Sequence, residues 1–245
     1  DSSGNAGAAI ATYAARAGID AEIYVPASVT PAKRRTIERV GATPVPIEGS
    51  REDVTAACVD AVESGDAWYA SHAWNPAFLS GTATFAYELC AQRDWTAPDA
   101  VVTPLGHGTL FLGAYRGFRT LRELGWIDRL PRLLGAQAAG YAPIAAALHG
   151  DDAADGANEM ADGIQIRAPV RKAEILTAID ETDGDAIALP ESAVKAAYDA
   201  LHERGFYVEP TCAVAPAALA AYRERGVLEP DDDVVVPLTG SGLKT

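Results

Sequence analysis

The order of apolar segments predicts an α/β protein with two open, mostly parallel sheets flanked by helices. Three observations carry that expectation. Short strand-like stretches alternate with longer helical ones, the helical ones are bounded by cap residues, proline or glycine, and glycine-rich strings stand where a strand hands over to a helix.

The elements follow in order. From Asn5 to Ala17 an alanine-rich run with a small apolar face predicts a helix, stopped by Gly18. Ala21 to Val25 alternates as a strand and closes on Pro26. Pro31 to Val40 is a basic helix with proline at its start, where the missing N–H costs nothing. A strand at Thr43 to Ile47 and an amphipathic helix at Arg51 to Glu63 complete this half. The pattern then breaks into aromatic, irregular sequence around Trp68, Tyr69, His72 and Trp74, which marks a crossing between domains. We therefore expect a smaller, mobile domain over 1–66 and a larger one over 67–245. In the second part helices are expected near Gly81 to Arg93, Leu110 to Leu124, Lys172 to Glu181 and Glu191 to Arg204. Strands are expected at Ala100 to Thr103, Leu133 to Gln137 and Val234 to Leu238, and Gly150 to Asp162 reads as a surface loop or weak helix.

Charge and composition narrow the function. A net charge of −14 repels phosphate backbones, so nucleic acid is a poor partner. No apolar run approaches the roughly 18 residues that span a bilayer, and the opening Asp1-Ser2-Ser3-Gly4 is not a secretory signal, so a cytoplasmic protein without membrane contact is expected. Cys58, Cys90 and Cys212 form no CxxC pair and read as buried thiols in a reducing compartment. The histidines are equally dispersed, and no metal site is expected. Only Lys33, Lys172, Lys195 and Lys244 supply ammonium groups, and an acidic, lysine-poor surface suits a high-salt cytoplasm of haloarchaeal type, against the alternative of ordinary acidic solubility.

Three loops have one chemical character. Ser2-Ser3-Gly4-Asn5 offers hydroxyls and backbone amides at a helix start, either as a plain cap or as a cradle for an anion. Thr103-Pro104-Leu105-Gly106-His107-Gly108-Thr109 links a strand to a helix. Its glycines permit a tight turn, a curl of backbone around a phosphate, or a loose dinucleotide spacing with Gly113, in which the third glycine falls late. Thr239-Gly240-Ser241-Gly242 follows the last strand and is either a glycine-rich exit or a third wall of a site.

Taken together, in this order and over essentially the whole chain, the loops resemble those of pyridoxal-5′-phosphate (PLP) enzymes of the threonine synthase-like family, in the fold type II group with tryptophan synthase β. The resemblance implies PLP in a cleft between the domains and a homodimer. It implies that Asn5 meets the cofactor's 3′-oxygen and that Ser2, Ser3 and Gly4 hold the substrate carboxylate. Gly106, His107, Gly108 and Thr109 would hold the phosphate, although the family often has asparagine where this chain has His107. Thr239 would face the pyridine nitrogen, where a hydroxyl leaves that nitrogen largely unprotonated and favours elimination and replacement chemistry. Glu209-Pro210-Thr211-Cys212-Ala213 resembles a segment near the cofactor's edge, and Ala161-Asp162-Gly163-Ile164 resembles dehydratases and serine racemases more than threonine synthases.

The expected reaction is β-elimination or replacement on an amino acid, foremost O-phosphohomoserine and water to threonine and phosphate. A threonine or serine dehydratase, another PLP lyase, or a non-catalytic PLP- or anion-binding protein are the alternatives. The family's Schiff-base lysine lies before the Ser-Ser-Gly-Asn loop, so it is expected upstream of Asp1, and a chain lacking that segment would cradle the cofactor without catalysing alone.

Overall fold

The computed structural model describes residues 1–2, 4–65 and 67–244, and the chain divides into two compact units, 1–75 and 76–245. The expected boundary at 66/67 lies before the aromatic stretch; in the structure that stretch belongs to the first unit. Tyr69 donates its hydroxyl to Asp1 at 2.7 Å, and the Asn75 amide bonds the Ser71 carbonyl at 2.9 Å.

The first unit runs α1 (Asn5–Ala17), β1 (Glu22–Pro26), α2 (Pro31–Arg39), β2 (Thr43–Ile47) and α3 (Arg51–Ser64). β1 and β2 pair in parallel, with Tyr24 opposite Val45. Local chemistry sets the ends of these helices. Gly18 caps α1 with φ +68°, a left-handed conformation that costs glycine little. Thr30 and Ser50 cap α2 and α3, and Ser50 and Asp53 form a reciprocal capping box. Ile23, Val25 and Ile37 are buried together with Ala11 as the core of this unit.

The second unit runs α4 (Pro76–Ala91), β3 (Ala100–Pro104), α5 (Thr109–Glu123), β4 (Arg132–Ala138), α6 (Pro143–His149), α7 (Lys172–Glu181), β5 (Asp185–Leu189), α8 (Glu191–Glu203), α9 (Val214–Glu224) and β6 (Val234–Val235). Its four strands are all parallel, in the order β5-β4-β3-β6. One face packs on α4, α5 and α7 through Val101, Leu105, Phe111 and Ile175; the other packs on α8 and α9 through Val102, Leu134, Val194 and Tyr222. Tyr222 is fully buried and donates its hydroxyl to the Gly135 carbonyl at 2.9 Å, so its polar end is satisfied.

Three elements of this unit have no counterpart in the expectations above: α6, β5 and α9. The last strand is also shorter than Val234 to Leu238, ending at Val235 before Pro237, which has no N–H for a ladder. All three cysteines are free and buried. Among the described residues no helix is long and apolar enough to cross a membrane, and no group of three or more His, Cys, Asp and Glu is arranged to hold a metal.

Candidate cofactor-binding site

Strand order sets a candidate crevice in the second unit. The chain moves from β3 to β4 to β5 on one side and returns on the other side of β3 with β6. At such a reversal the loops leaving the carboxyl ends of the two neighbouring strands diverge and leave a crevice, where ligands of open α/β sheets bind. The loops that leave β3 and β6 here are the two expected from the sequence, Leu105 to Thr109 and Thr239 to Gly242.

The first of these is tightly held. Leu105 donates its amide to the Ala136 carbonyl at 2.8 Å, and its own carbonyl accepts from Gln137 Nε2 at 3.3 Å. Gly106 and Gly108 are buried and His107 is partly so. A Cβ on Gly106 would lie 3.2 Å from the Ile164 backbone, and one on Gly108, whose φ is +80°, would lie 2.6 Å from Ile175 Cδ1. Backbone therefore comes close to its surroundings at both positions, and at Gly108 the left-handed φ is a conformation that glycine adopts at little cost. Gly108 is also the cap of α5 and makes no side-chain capping bond. The first-turn amides of such a helix have no intrahelical acceptor and carry the positive end of its dipole, which suits an anion. Gly113, the third glycine of the loose dinucleotide spacing, lies within α5 against Thr82, which a Cβ would overlap at 2.0 Å. It is a helix-packing residue, and the dinucleotide reading loses its third glycine.

The β6 exit is held by another part of the chain. Val208 bridges Ser241 in antiparallel fashion, and Glu209 donates its amide to the Gly240 carbonyl at 3.1 Å. A Cβ on Gly240 would fall 2.0 Å from Glu209 Oε1, so the Glu209 carboxylate lies directly against this glycine. Thr239 beside it is exposed. Thr211, two residues after Glu209, accepts from the Gly163 amide at 3.2 Å and donates to Asp162 Oδ1 at 3.5 Å. Ile164, next in sequence, is the residue on which Gly106 rests. The segments 105–108, 162–164, 209–211 and 239–242 are thus joined into one rim.

One polar residue of this region, Gln137, was not among the candidates from the sequence, and a second, Thr103, opens a loop string that was. Gln137 is fully buried at the end of β4 and bridges Leu105 to the Ile144 and Ala145 amides that open α6, accepting at 2.9 and 3.0 Å. A single amide at the end of an apolar strand was the available signal. Thr103, 1% exposed, has a hydroxyl without a hydrogen-bond partner among the described residues. A cleft of about 550 Å³ also opens between α5 and α7, but its charges satisfy one another: Arg116 pairs with Glu174 at 2.8 Å and Tyr115 donates to Glu181.

The Ser-Ser-Gly-Asn string belongs to the first unit. Ser2 donates its amide to the Tyr24 carbonyl at 3.1 Å, and its hydroxyl accepts from the Gly4 amide at 3.2 Å. Gly4 caps α1 without a side-chain capping bond, and Gly4 and Asn5 are exposed. Ser3 lies outside the described residues. Lys33, Lys172 and Lys195 stand on exposed helix surfaces, Lys195 bonded to Asp199 at 2.7 Å. His72, also in this unit, is pushed down to about 4 by burial and by the nearby Arg51 charge.

Residues 1–240 match a family described as pyridoxal-phosphate dependent enzyme. The chain is 34% identical to the threonine synthase of Methanosarcina acetivorans, over 99% of this chain and 61% of that protein. It is 30% identical to the threonine synthase of Mycobacterium tuberculosis, over 99% and 67% respectively. The chain thus spans about three fifths of the length of the first of these relatives. Among solved structures, maize serine racemase superposes with a TM-score of 0.79 at 23% identity, over 99% of this chain and 72% of that one. A processed threonine deaminase from Solanum lycopersicum gives 0.82 at 20%, over 98% and 64%. At these identities the structural likeness speaks for the fold, the type shared by both enzymes.

Proposed function

Because the chain belongs to the family of pyridoxal-phosphate dependent enzymes, with threonine synthases among its similar proteins, we propose that it forms the cofactor-binding body of a threonine synthase-like lyase. The observation that carries this reading is the single rim formed by the loops after β3 and β6 at the strand reversal.

The residues present fit PLP. The start of α5, capped by Gly108, offers first-turn amides and the positive end of the helix dipole to a phosphate, and the close packing of Gly106 on Ile164 and of Gly108 on Ile175 fixes the loop that presents them. In this reading Gly106, His107, Gly108 and Thr109 hold the phosphate, and Thr239 sets its hydroxyl against the pyridine nitrogen. Asn5 holds the 3′-oxygen, while Ser2, Ser3 and Gly4 bind the substrate carboxylate. When bound, PLP supplies an electron sink for negative charge developing at the substrate's Cα. The hydroxyl of Thr239 is a weak acid partner, so it leaves the ring nitrogen largely unprotonated, which suits elimination and replacement at Cβ and Cγ. None of Lys33, Lys172 and Lys195 is placed by this reading on the cofactor's aldehyde.

The reaction proposed is conversion of O-phosphohomoserine and water to threonine and phosphate. A threonine or serine dehydratase is the second reading, supported by the Asp162-Gly163-Ile164 string and its bonds to Thr211. A homodimer in the cytoplasm of a salt-tolerant cell is part of the same proposal. Incubating the purified holoenzyme with O-phosphohomoserine, threonine and serine separates the two readings. We expect threonine and inorganic phosphate from the first; a 2-oxo acid from threonine or serine, with no phosphate released, would overturn the synthase reading in favour of the dehydratase.

A further inference from the structure

We propose that Gln137 is a positioning residue that aims the first amide of the phosphate loop. The proposal rests on the reading of Leu105–Thr109 as the cofactor-phosphate cradle and adds to it a residue outside that loop.

Gln137 is fully buried, and its amide is used at both ends. Its oxygen accepts from the Ile144 and Ala145 amides, and its nitrogen donates to the Leu105 carbonyl. Only this orientation of the side chain satisfies all three partners, so the direction of the amide is determined by its neighbours. The Leu105 carbonyl and the Gly106 N–H belong to one planar, trans peptide and point in opposite directions. Pinning the carbonyl on Gln137 therefore fixes the Gly106 N–H on the side away from β4. The Leu105 amide is already tied to Ala136, so both polar atoms of Leu105 are fastened to β4. Gly106 has no side chain with which to resist rotation of that peptide, which makes the external tie matter more. Its own contact with Ile164 limits translation of the loop but does not set the direction of the N–H.

The test compares PLP with pyridoxal, which has the same ring and aldehyde but no phosphate. In the holoenzyme, Gln137→Met removes the donor to Leu105 at every pH. Gln137→Glu keeps an acceptor for Ile144 and Ala145 and loses the donor once the carboxyl ionises, which a pH series that brackets the measured ionisation of that carboxyl reveals. We expect PLP affinity to fall roughly tenfold, as for one lost buried hydrogen bond, with pyridoxal affinity changed by less than about twofold. The phosphorus-31 resonance of bound PLP should move in the same variants. If Gln137→Met does not fold, the glutamate series decides alone. Equal losses for PLP and pyridoxal, or no change in either across the series, would overturn the proposal. Gly108→Ala is the control: if it lowers the preference for PLP while the Gln137 variants do not, only the role of Gln137 fails. If none of the variants alters that preference, the cradle reading fails as well.

Discussion

A methyl group on Gly108 would lie 2.6 Å from Cδ1 of Ile175, so the cap of α5 and the buried side of α7 meet where the chain carries no side chain. The left-handed backbone at Gly108, φ +80°, adds a second reason for glycine. Gly108→Ala should lower the stability of the cofactor-free protein by about 2–4 kcal/mol, combining the cost of left-handed alanine with displacement of Ile175. Urea denaturation measures this; a loss within about 0.5 kcal/mol would show that the helix start adjusts freely.

Thr103 shares a face of β3 with Val101, which packs toward α4 and α5, and its buried hydroxyl has no partner among the described residues. Valine has nearly the same shape without that hydroxyl. Thr103→Val should raise stability by about 1 kcal/mol and leave PLP affinity unchanged. A clear loss of PLP affinity in this variant would instead place the hydroxyl at the ligand.

His72 makes stability depend on pH in a definite direction. Its folded value of about 4 lies below the ordinary 6.5 because burial, then Arg51, disfavours the charged ring. Between these values the unfolded chain binds a proton that the folded chain does not, so the folded state is weakened as pH falls. Stability from this residue is complete above about pH 6.5 and declines toward pH 4, amounting to up to about 2 kcal/mol lost at pH 5. Denaturation of wild type and His72→Gln at pH 7 and pH 5 checks it: the variant should have the shallower slope, and parallel slopes would refute the assignment.

Net charge sets a salt response. With −14 on the chain, like-charge repulsion opposes compaction, and raising KCl from about 0.1 M to about 1 M shortens the Debye length from about 10 Å to about 3 Å. Exposed pairs such as Arg34–Glu38, each about half exposed, are lost at little cost. The Tm should therefore rise over this range; a fall would mean that ion pairs outweigh repulsion.

Borohydride reduction of the holoenzyme fixes the cofactor covalently on the lysine that binds it, and peptide mapping then identifies that lysine. Lys33, Lys172 and Lys195, all on exposed helix surfaces, should remain unmodified. Label on any of the three would contradict the arrangement proposed for the site.

The amino-acid sequence by itself determined the first unit almost to the residue, because its signals are local. Thr30, Ser50 and Gly18 satisfy or end helices within one turn, and β1 alternates in burial. The strings at 103–109 and 239–242 were legible for the same reason, since glycines at a strand exit are a local necessity. β5, Asp-Ala-Ile-Ala-Leu, was not, because a strand covered on both faces loses the alternation that reveals half-buried ones, and small alanines carry little pattern. α9 was obscured by Pro216 in its first turn, a position where proline is tolerated and reads as a breaker.

Only the tertiary structure decided which distant residues meet. The order β5-β4-β3-β6 sets the exits of β3 and β6 side by side, and the pairs Gly106–Ile164, Gly163–Thr211 and Glu209–Gly240 close the rim. Gln137 gains its part from the same packing, as one buried amide shared by Leu105 and the start of α6. Helix caps and turns depend on neighbours in sequence, whereas a close approach between backbones depends on how whole strands and helices stack, and that is a property of the assembled core.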